Sequence, residues 1–250
     1  MKIQYCSDLH LEVLNNGVWV DKNPIIPFGD ILIIAGDTSY LNDDYKNLDF
    51  FKQVSDNFRQ TYVIPGNHEF YRGYDVSVCE GKINEDLLSN VKLVHNDFVY
   101  EEGVKLIFST MWARIIKHST EIRKGITDFK RIKYKGKRFS TYHFNEIHRK
   151  CIDFIEQEVK EDVKKVVTTH HLPSNLCNAP EHKSSKYNEA FCVDKTDFIA
   201  NSSIDHWIYG HNHRVLLDIE INGTKLVSNQ LGYVDYYENK NFAWDKCFEA

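Results

Sequence analysis

Residues 31–37 read ILIIAGD, an unbroken β-branched and apolar run that ends abruptly in Gly-Asp. A short continuous apolar stretch closed by glycine predicts a strand buried on both faces, which belongs in a layered α/β fold. The same figure recurs in both directions along the chain. KIQYC (2–6) leads to Asp8 and His10, and TYVI (61–64) to Gly66, Asn67 and His68. KVVTT (165–169) leads to His170, and HWIY (206–209) to Gly210, His211 and His213. Two further runs, KLIFS (105–109) and KLVS (225–228), read as strands without a polar ending. Between the second and third strands, Tyr45, Leu48, Phe51, Val54 and Phe58 follow a polar Asn42-Asp43-Asp44 start at spacings of three and four, which predicts a helix. A second helix is expected over 141–160, with Phe144, Ile147, Cys151, Phe154, Ile155 and Val159 on one side, and a weaker one over 188–200. Strands alternating with helices predict an α/β architecture.

In open α/β sheets the loops at the carboxyl ends of the strands converge on one crevice. Five strand ends would thus bring Asp8, His10, Asp37, Asn67, His68, His170, His211 and His213 together. In D8-L9-H10, and again in H211-N212-H213, the two side chains are two residues apart, so extended backbone would project both to one side. Gly36, Gly66 and Gly210 permit tight turns and a close approach of backbone to a bound ion. Histidine mixed with carboxylate is a ligand set for Mn, Fe or Zn, whereas Mg and Ca prefer oxygen alone.

The order D-x-H, G-D, G-N-H-E, a strand-end His and G-H-x-H resembles that of the calcineurin-like metallophosphoesterases from Asp8 to His213. The resemblance implies a four-layer α/β/β/α sandwich; the length fits one domain over 1–250, with a basic insertion or cap at about 112–140. It further implies two divalent metal ions. Asp8, His10 and His213 would bind one, Asn67, His170 and His211 the other, and Asp37 would bridge them. His68 would be the non-ligand histidine of the G-N-H-[D/E] motif, oriented by Glu69. Two divalent ions carry four positive charges; Asp8, Asp37 and a bridging hydroxide would cancel three, leaving a site that attracts a phosphate anion. The expected reaction is hydrolysis of a phosphate ester by that hydroxide, with Asp37 and His68 the catalytic residues and His68 the general acid. G36-D37-T38-S39-Y40 also matches the G-D-x-x-Y of purple acid phosphatases, but those lack a histidine at the His10 position, so Tyr40 is not read as a ligand. The G-D-x-x-D-R-G of protein Ser/Thr phosphatases is absent, which argues against a phosphoprotein substrate. His171, next to a candidate ligand, should point the other way and pack.

The 250 residues are 42% hydrophobic, enough for a sizeable core, and carry a formal charge of −5, which speaks against a protein coated in nucleic acid. The charge is unevenly spread. Residues 114–138 hold ten Lys or Arg against Glu121 and Asp128, a local +8 that leaves −13 for the remainder. Phe129, Tyr134, Phe139 and Tyr142 are interleaved with these cations, a mix suited to cradling phosphates and stacking a base. Arg131 and Lys133 are therefore candidate substrate contacts, and a phosphodiester or nucleotide, with nucleic acid in reach, is the expected substrate. A small phosphomonoester, or a non-catalytic binding scaffold on the same fold, are the alternatives. Six scattered cysteines without a C-x-x-C pair read as free thiols. With no signal-like or membrane-length apolar run, the expected location is the cytoplasm.

Overall fold

The computed structural model describes residues 1–42 and 44–250. In chain order its strands are β1 (Lys2–Cys6), β2 (Ile31–Ile34), β3 (Gln60–Val63), β4 (Ile83–Leu88), β5 (Val91–His95), β6 (Asp97–Glu101) and β7 (Val104–Ser109), then β8 (Lys133–Tyr134), β9 (Lys137–Arg138), β10 (Lys165–Thr169), β11 (His206–Ile208), β12 (Ile219–Ile221), β13 (Thr224–Val227) and β14 (Cys247–Glu249). The helices are α1 (Leu14–Lys22), α2 (Asp49–Asn57), α3 (Ser119–Gly125), α4 (Asp128–Arg131), α5 (Thr141–Glu158), α6 (Pro180–Lys183) and α7 (Thr196–Ala200).

Two six-stranded sheets form the centre, in the orders β14-β1-β2-β3-β5-β4 and β12-β13-β11-β10-β7-β6. Each has four parallel inner strands and an antiparallel strand at either edge. The alternation of strand side chains divides the apolar residues between two faces. Ile3, Tyr5, Ile31 and Ile33 of the first sheet meet Leu106, Phe108, Val166 and Ile208 of the second in a buried inter-sheet core. The opposite face of the first sheet, with Leu32, Ile34 and Val63, packs Val20 of α1 and Phe51 and Val54 of α2. Ile107, Val167 and Trp207 on the outer face of the second sheet meet Ile152 and Ile155 of α5 and Ile199 of α7. The result is the four-layer α/β/β/α arrangement.

Several boundaries differ from expectation for identifiable reasons. The helix expected from Tyr45 begins only at Asp49, because Leu48 is extended at ψ 128° and confines Tyr45–Asn47 to a 3-10 turn. Asp43, part of the polar start, lies outside the described residues. The stretch 188–200 is a 3-10 turn and α7 rather than one helix: Leu172 takes the carbonyl of Phe191 and gives its own to Val193, which pulls the intervening backbone into a bridge. Helix α1 had no apolar signature to find. It is anchored by the buried amide of Asn16, which donates to the carbonyls of Leu9 and Gly232. Helix α5 matches its pattern closely, starting where the Ser140 hydroxyl accepts the His143 N–H. Among the described residues no helix is long and apolar enough to cross a membrane.

Candidate metal centre

All the inner strands that carry a polar ending point it to one crevice between the sheets. The loops there are not extended. Asp8, His10, Asp37, His211 and His213 have φ of +55°, +47°, +53°, +83° and +51°, in the left-handed region that side-chain-bearing residues seldom adopt. The expectation that Asp8 and His10, and His211 and His213, face one place is met, but through these turns rather than through strand alternation. Gly36 and Gly66 make the convergence possible: a Cβ on Gly66 would run into Asp37 Oδ1 and the His170 ring, and Gly36 approaches His170 at φ +89°.

Two groups of ligand-type atoms result. In one, Asp8, His10, Asp37 and His213 lie within 4.8 Å of one another. His10 Nε2 is 2.9 Å from His213 Nε2, and His213 Nε2 is 3.5 Å from Asp8 Oδ1. In the other, His170 Nε2 is 3.1 Å from both Asn67 Oδ1 and His211 Nδ1. Asp37 belongs to both, its Oδ2 lying 3.8 Å from His10 Nε2 and 3.4 Å from His170 Nε2. Its Oδ1 is occupied by the backbone N–H of His68 at 2.9 Å.

The donor set fits a pair of cations. His10, His213 and His170 each give their Nδ1–H to an acceptor: Glu12 at 3.1 Å, Glu238 at 2.7 Å and the Ala35 carbonyl at 2.8 Å. That fixes the Nδ1 proton and turns each Nε2 to the crevice, the arrangement by which metal-binding histidines are oriented. The Nε2 atoms of His10 and His213 face each other with the carboxylates of Asp8 and Asp37 alongside. Burial keeps His10 neutral, its pKa lowered despite Glu12. Burial also opposes charge on His170, but the adjacent Asp37 outweighs it and raises the ring to about 9. A proton there occupies the lone pair that a metal would take.

His68 stands beside both groups. Its Nδ1 is 2.8 Å from Glu12 Oε1, the same oxygen that holds His10, so its Nε2 is the free ring atom, 3.4 Å from the Tyr233 hydroxyl. Burial disfavours its charge, yet Asp37 and Glu12 prevail and raise it to about 9. Glu69 does not orient His68. Its carboxylate accepts the N–H groups of Gly66, Asp37 and Thr38 at 2.7, 3.1 and 2.8 Å, tying two strand-end loops together. On the other side Asp128 accepts the Tyr71 hydroxyl at 2.6 Å and the Asn67 amide at 2.9 Å. With its N–H₂ so engaged, Asn67 turns its carbonyl oxygen toward His170. His171 packs between Trp112 and His211, ring centroids 5.2 and 4.2 Å away.

Glu12, Asp128, Tyr233 and Glu238 were missed by the sequence reading. Only Glu12 left a signal there, as the third member of the alternating D8-x-H10-x-E12. The basic segment divides. Gly125, Ile126, Thr127 and Asp128 line a cleft of about 210 Å³ at the candidate centre, which holds neither Arg131 nor Lys133. Arg131 sits at its rim, over the Tyr71 ring at 5.6 Å and 3.4 Å from the Tyr40 hydroxyl. Lys133 is exposed on the β8–β9 hairpin, which pairs with Asp75. Phe129 and Phe139 are stacked on each other in the core beside Phe144, and Tyr134 lies flat on His143, so none of the three presents a free face for a base. Tyr142 alone is exposed.

A family model described as calcineurin-like phosphoesterase matches residues 1–215. An uncharacterised protein of Acanthamoeba polyphaga mimivirus, L509, is 31% identical over 96% of this chain and 93% of its own length. Among solved structures, the phosphopantetheinyl hydrolase of Mycobacterium tuberculosis superposes with a TM-score of 0.71 over 97% of this chain and 94% of that one, at 14% identity, a likeness of fold.

Proposed function

The chain belongs to the calcineurin-like phosphoesterase family and is a metal-dependent phosphoesterase; from that premise we propose that it hydrolyses a phosphodiester or nucleotide, with Asp8, His10, Asp37 and His213 holding one metal ion and Asp37, Asn67, His170 and His211 the other. The observation that carries this reading is the placement of Asp37 Oδ2 within 4 Å of a histidine nitrogen in each group. Two divalent ions, which the mixed nitrogen and oxygen donors suit to Mn, Fe or Zn, would supply Lewis-acid charge for the phosphoryl oxygens and lower the pKa of attacking water.

The protein's own residues do the rest. His68 keeps Nδ1–H on Glu12 and carries the mobile proton on Nε2, the atom that faces the cleft. The Glu12 carboxylate at Nδ1 favours the protonated ring and aims the Nε2 proton at the leaving oxygen. Asp128 and Tyr71 hold Asn67 in the flip that turns oxygen inward. Arg131, at the rim, would contact the incoming phosphate, and Lys133 would contribute by longer-range attraction. The cleft with His68 has no Lys or Arg in its lining to meet the further phosphates of a nucleotide, and a small phosphomonoester is therefore the second reading. Five buried free cysteines support a reducing compartment, the cytoplasm.

The test is to load the purified protein with Mn²⁺, Fe²⁺ or Zn²⁺, count bound ions, and assay bis(4-nitrophenyl) phosphate beside 4-nitrophenyl phosphate. Two ions per chain and turnover of the diester are expected. One ion, or no turnover with any metal, would overturn the reading.

A further inference from the structure

Two clefts meet at the candidate centre and differ in what else they touch. The first, about 210 Å³, carries His68, Tyr71, Asp128 and Tyr233. The second, about 290 Å³, is lined by Asn178, His182, Ser185, Tyr187 and Asn188. They share only Ile126, Phe191, His211 and His213. His68 lines the first and not the second, so the proton donor serves the first cleft.

We propose that the second cleft is a subsite for the ester group that stays on phosphorus, and that it takes an uncharged, flat, hydrogen-bonding group of nucleoside size. The inference rests on the phosphodiester reading above. In that reaction a new P–O bond forms from water as the bond to the leaving group breaks. The leaving oxygen takes the His68 proton and departs as an alcohol, and a proton lost by the water restores His68 through solvent. The product is a monoester whose organic group remains opposite His68. A monoester substrate has no such group, and the cleft would then serve nothing.

The lining selects the chemistry. Among the described residues no Lys or Arg lines either cleft, so a second phosphate would find no counter-charge, whereas the reacting one has the metal centre. Of the lining asparagines, Asn178 gives its Nδ2–H to Asn188 Oδ1, which leaves the buried Asn178 Oδ1 without a partner, an acceptor for a ligand beside the Ser185 hydroxyl and the His182 ring. Tyr187 and Phe191 offer flat apolar surface, Phe191 lying stacked on His211 at 4.7 Å and 26°. The volume is near the lower end for ligand pockets. The cleft is also built rather than incidental. Gly125 at the end of α3 meets the Tyr187 ring so closely that a Cβ would collide, which locks the 119–125 wall against the 178–191 wall.

The experiment uses two substrates with one leaving group, 4-nitrophenyl phosphate and the 4-nitrophenyl ester of thymidine 5′-monophosphate, on Mn²⁺-loaded protein. Nitrophenolate leaves without needing a proton, so differences report the retained group. The KM for the thymidine diester should be lower by about tenfold, and calorimetry should show thymidine 5′-monophosphate binding tighter than inorganic phosphate by a similar factor. Ser185→Trp, which fills the cleft, should cut the diester-to-monoester ratio of kcat/KM by about fivefold, with His182→Ala moving it in the same direction should the first variant fail to fold. Equal KM values, or variants that keep the wild-type ratio, would overturn the subsite. Failure to turn over these substrates and bis(4-nitrophenyl) phosphate alike would instead overturn the phosphoesterase reading and the subsite with it.

Discussion

The strand-end loops and the basic segment 114–138 lie against each other and are built on opposite plans. In the loops, buried and half-buried residues, five of them with left-handed backbone, crowd their acceptor atoms together, and the histidines are held by specific partners: His10 by Glu12, His213 by Glu238, His170 by the Ala35 carbonyl. In the segment, the cations spread outward. Lys135 pairs with Glu80, Arg138 gives its Nε–H to the Phe129 carbonyl, and Arg123, Lys124 and Lys130 face solvent on a broad open surface, while the aromatics turn into the core. The loops concentrate strained backbone and acceptor atoms at one point, a place suited to a bound cation. The segment dilutes its charge over a surface, where each group is separately solvated.

If that contrast is right, substitutions in the loops should be severe and specific. Asp37→Asn should have the largest effect, because it weakens both ion sites at once: metal content should fall below two per chain and hydrolysis by more than about 10⁴-fold, beyond what a single general acid supplies. A variant that still holds two ions would show that the carboxylate is not shared. His68→Ala comes next. It should retain both ions and lose roughly 10²–10³-fold on an alkyl ester, with a much smaller loss on a nitrophenyl ester. Equal losses on the two would remove His68 from proton transfer. Glu12→Gln should cost about tenfold, the usual scale for a partner of metal-binding histidines. Since Glu12 Oε1 serves both His10 and His68, metal affinity and the leaving-group dependence should move together; a change in affinity alone would leave His68 oriented by something else.

What was legible in the sequence follows the same line. Each strand ending in Gly-Asp, Gly-Asn-His or Gly-His announces both an element and a candidate ligand, because a buried parallel strand is apolar throughout and its first polar residue marks the crevice. Asp128 and Glu238 gave no such signal. One opens a short helix and the other a 3-10 turn, and only tertiary packing brings them to Asn67 and His213. The edge strands β4, β6, β12 and β14 escaped notice because a strand half exposed at a sheet edge lacks the dense apolar run of its inner neighbours, and the inner strand β5, VKLVH, because Lys92 and His95 interrupt its apolar run. The aromatics of 129–142 were misleading for a physical reason: their spacing suits both a stacking surface and a core contact, and composition cannot separate the two.

The smallest expected effect is on the other side of the comparison. Charge reversal at Lys133, Lys135 and Lys137 removes three cations from the β8–β9 hairpin, none of which lines either cleft. If the hairpin attracts substrate only through its field, KM should rise by about twofold for a nitrophenyl monoester and a thymidine diester alike. The rise should vanish at ~1 M salt, where the Debye length is ~3 Å. The kcat should stay as it was, since nothing in the hairpin touches His68 or the strand-end loops. Lys135 also pairs with Glu80, which in turn holds Lys150 of α5 and Tyr134, so the variant's thermal midpoint should be followed in parallel to separate lost attraction from lost folding. A rise confined to the thymidine diester and surviving in high salt would mean that the hairpin makes direct contact with the substrate. The segment would then share the design of the loops, and the division drawn between them would fail.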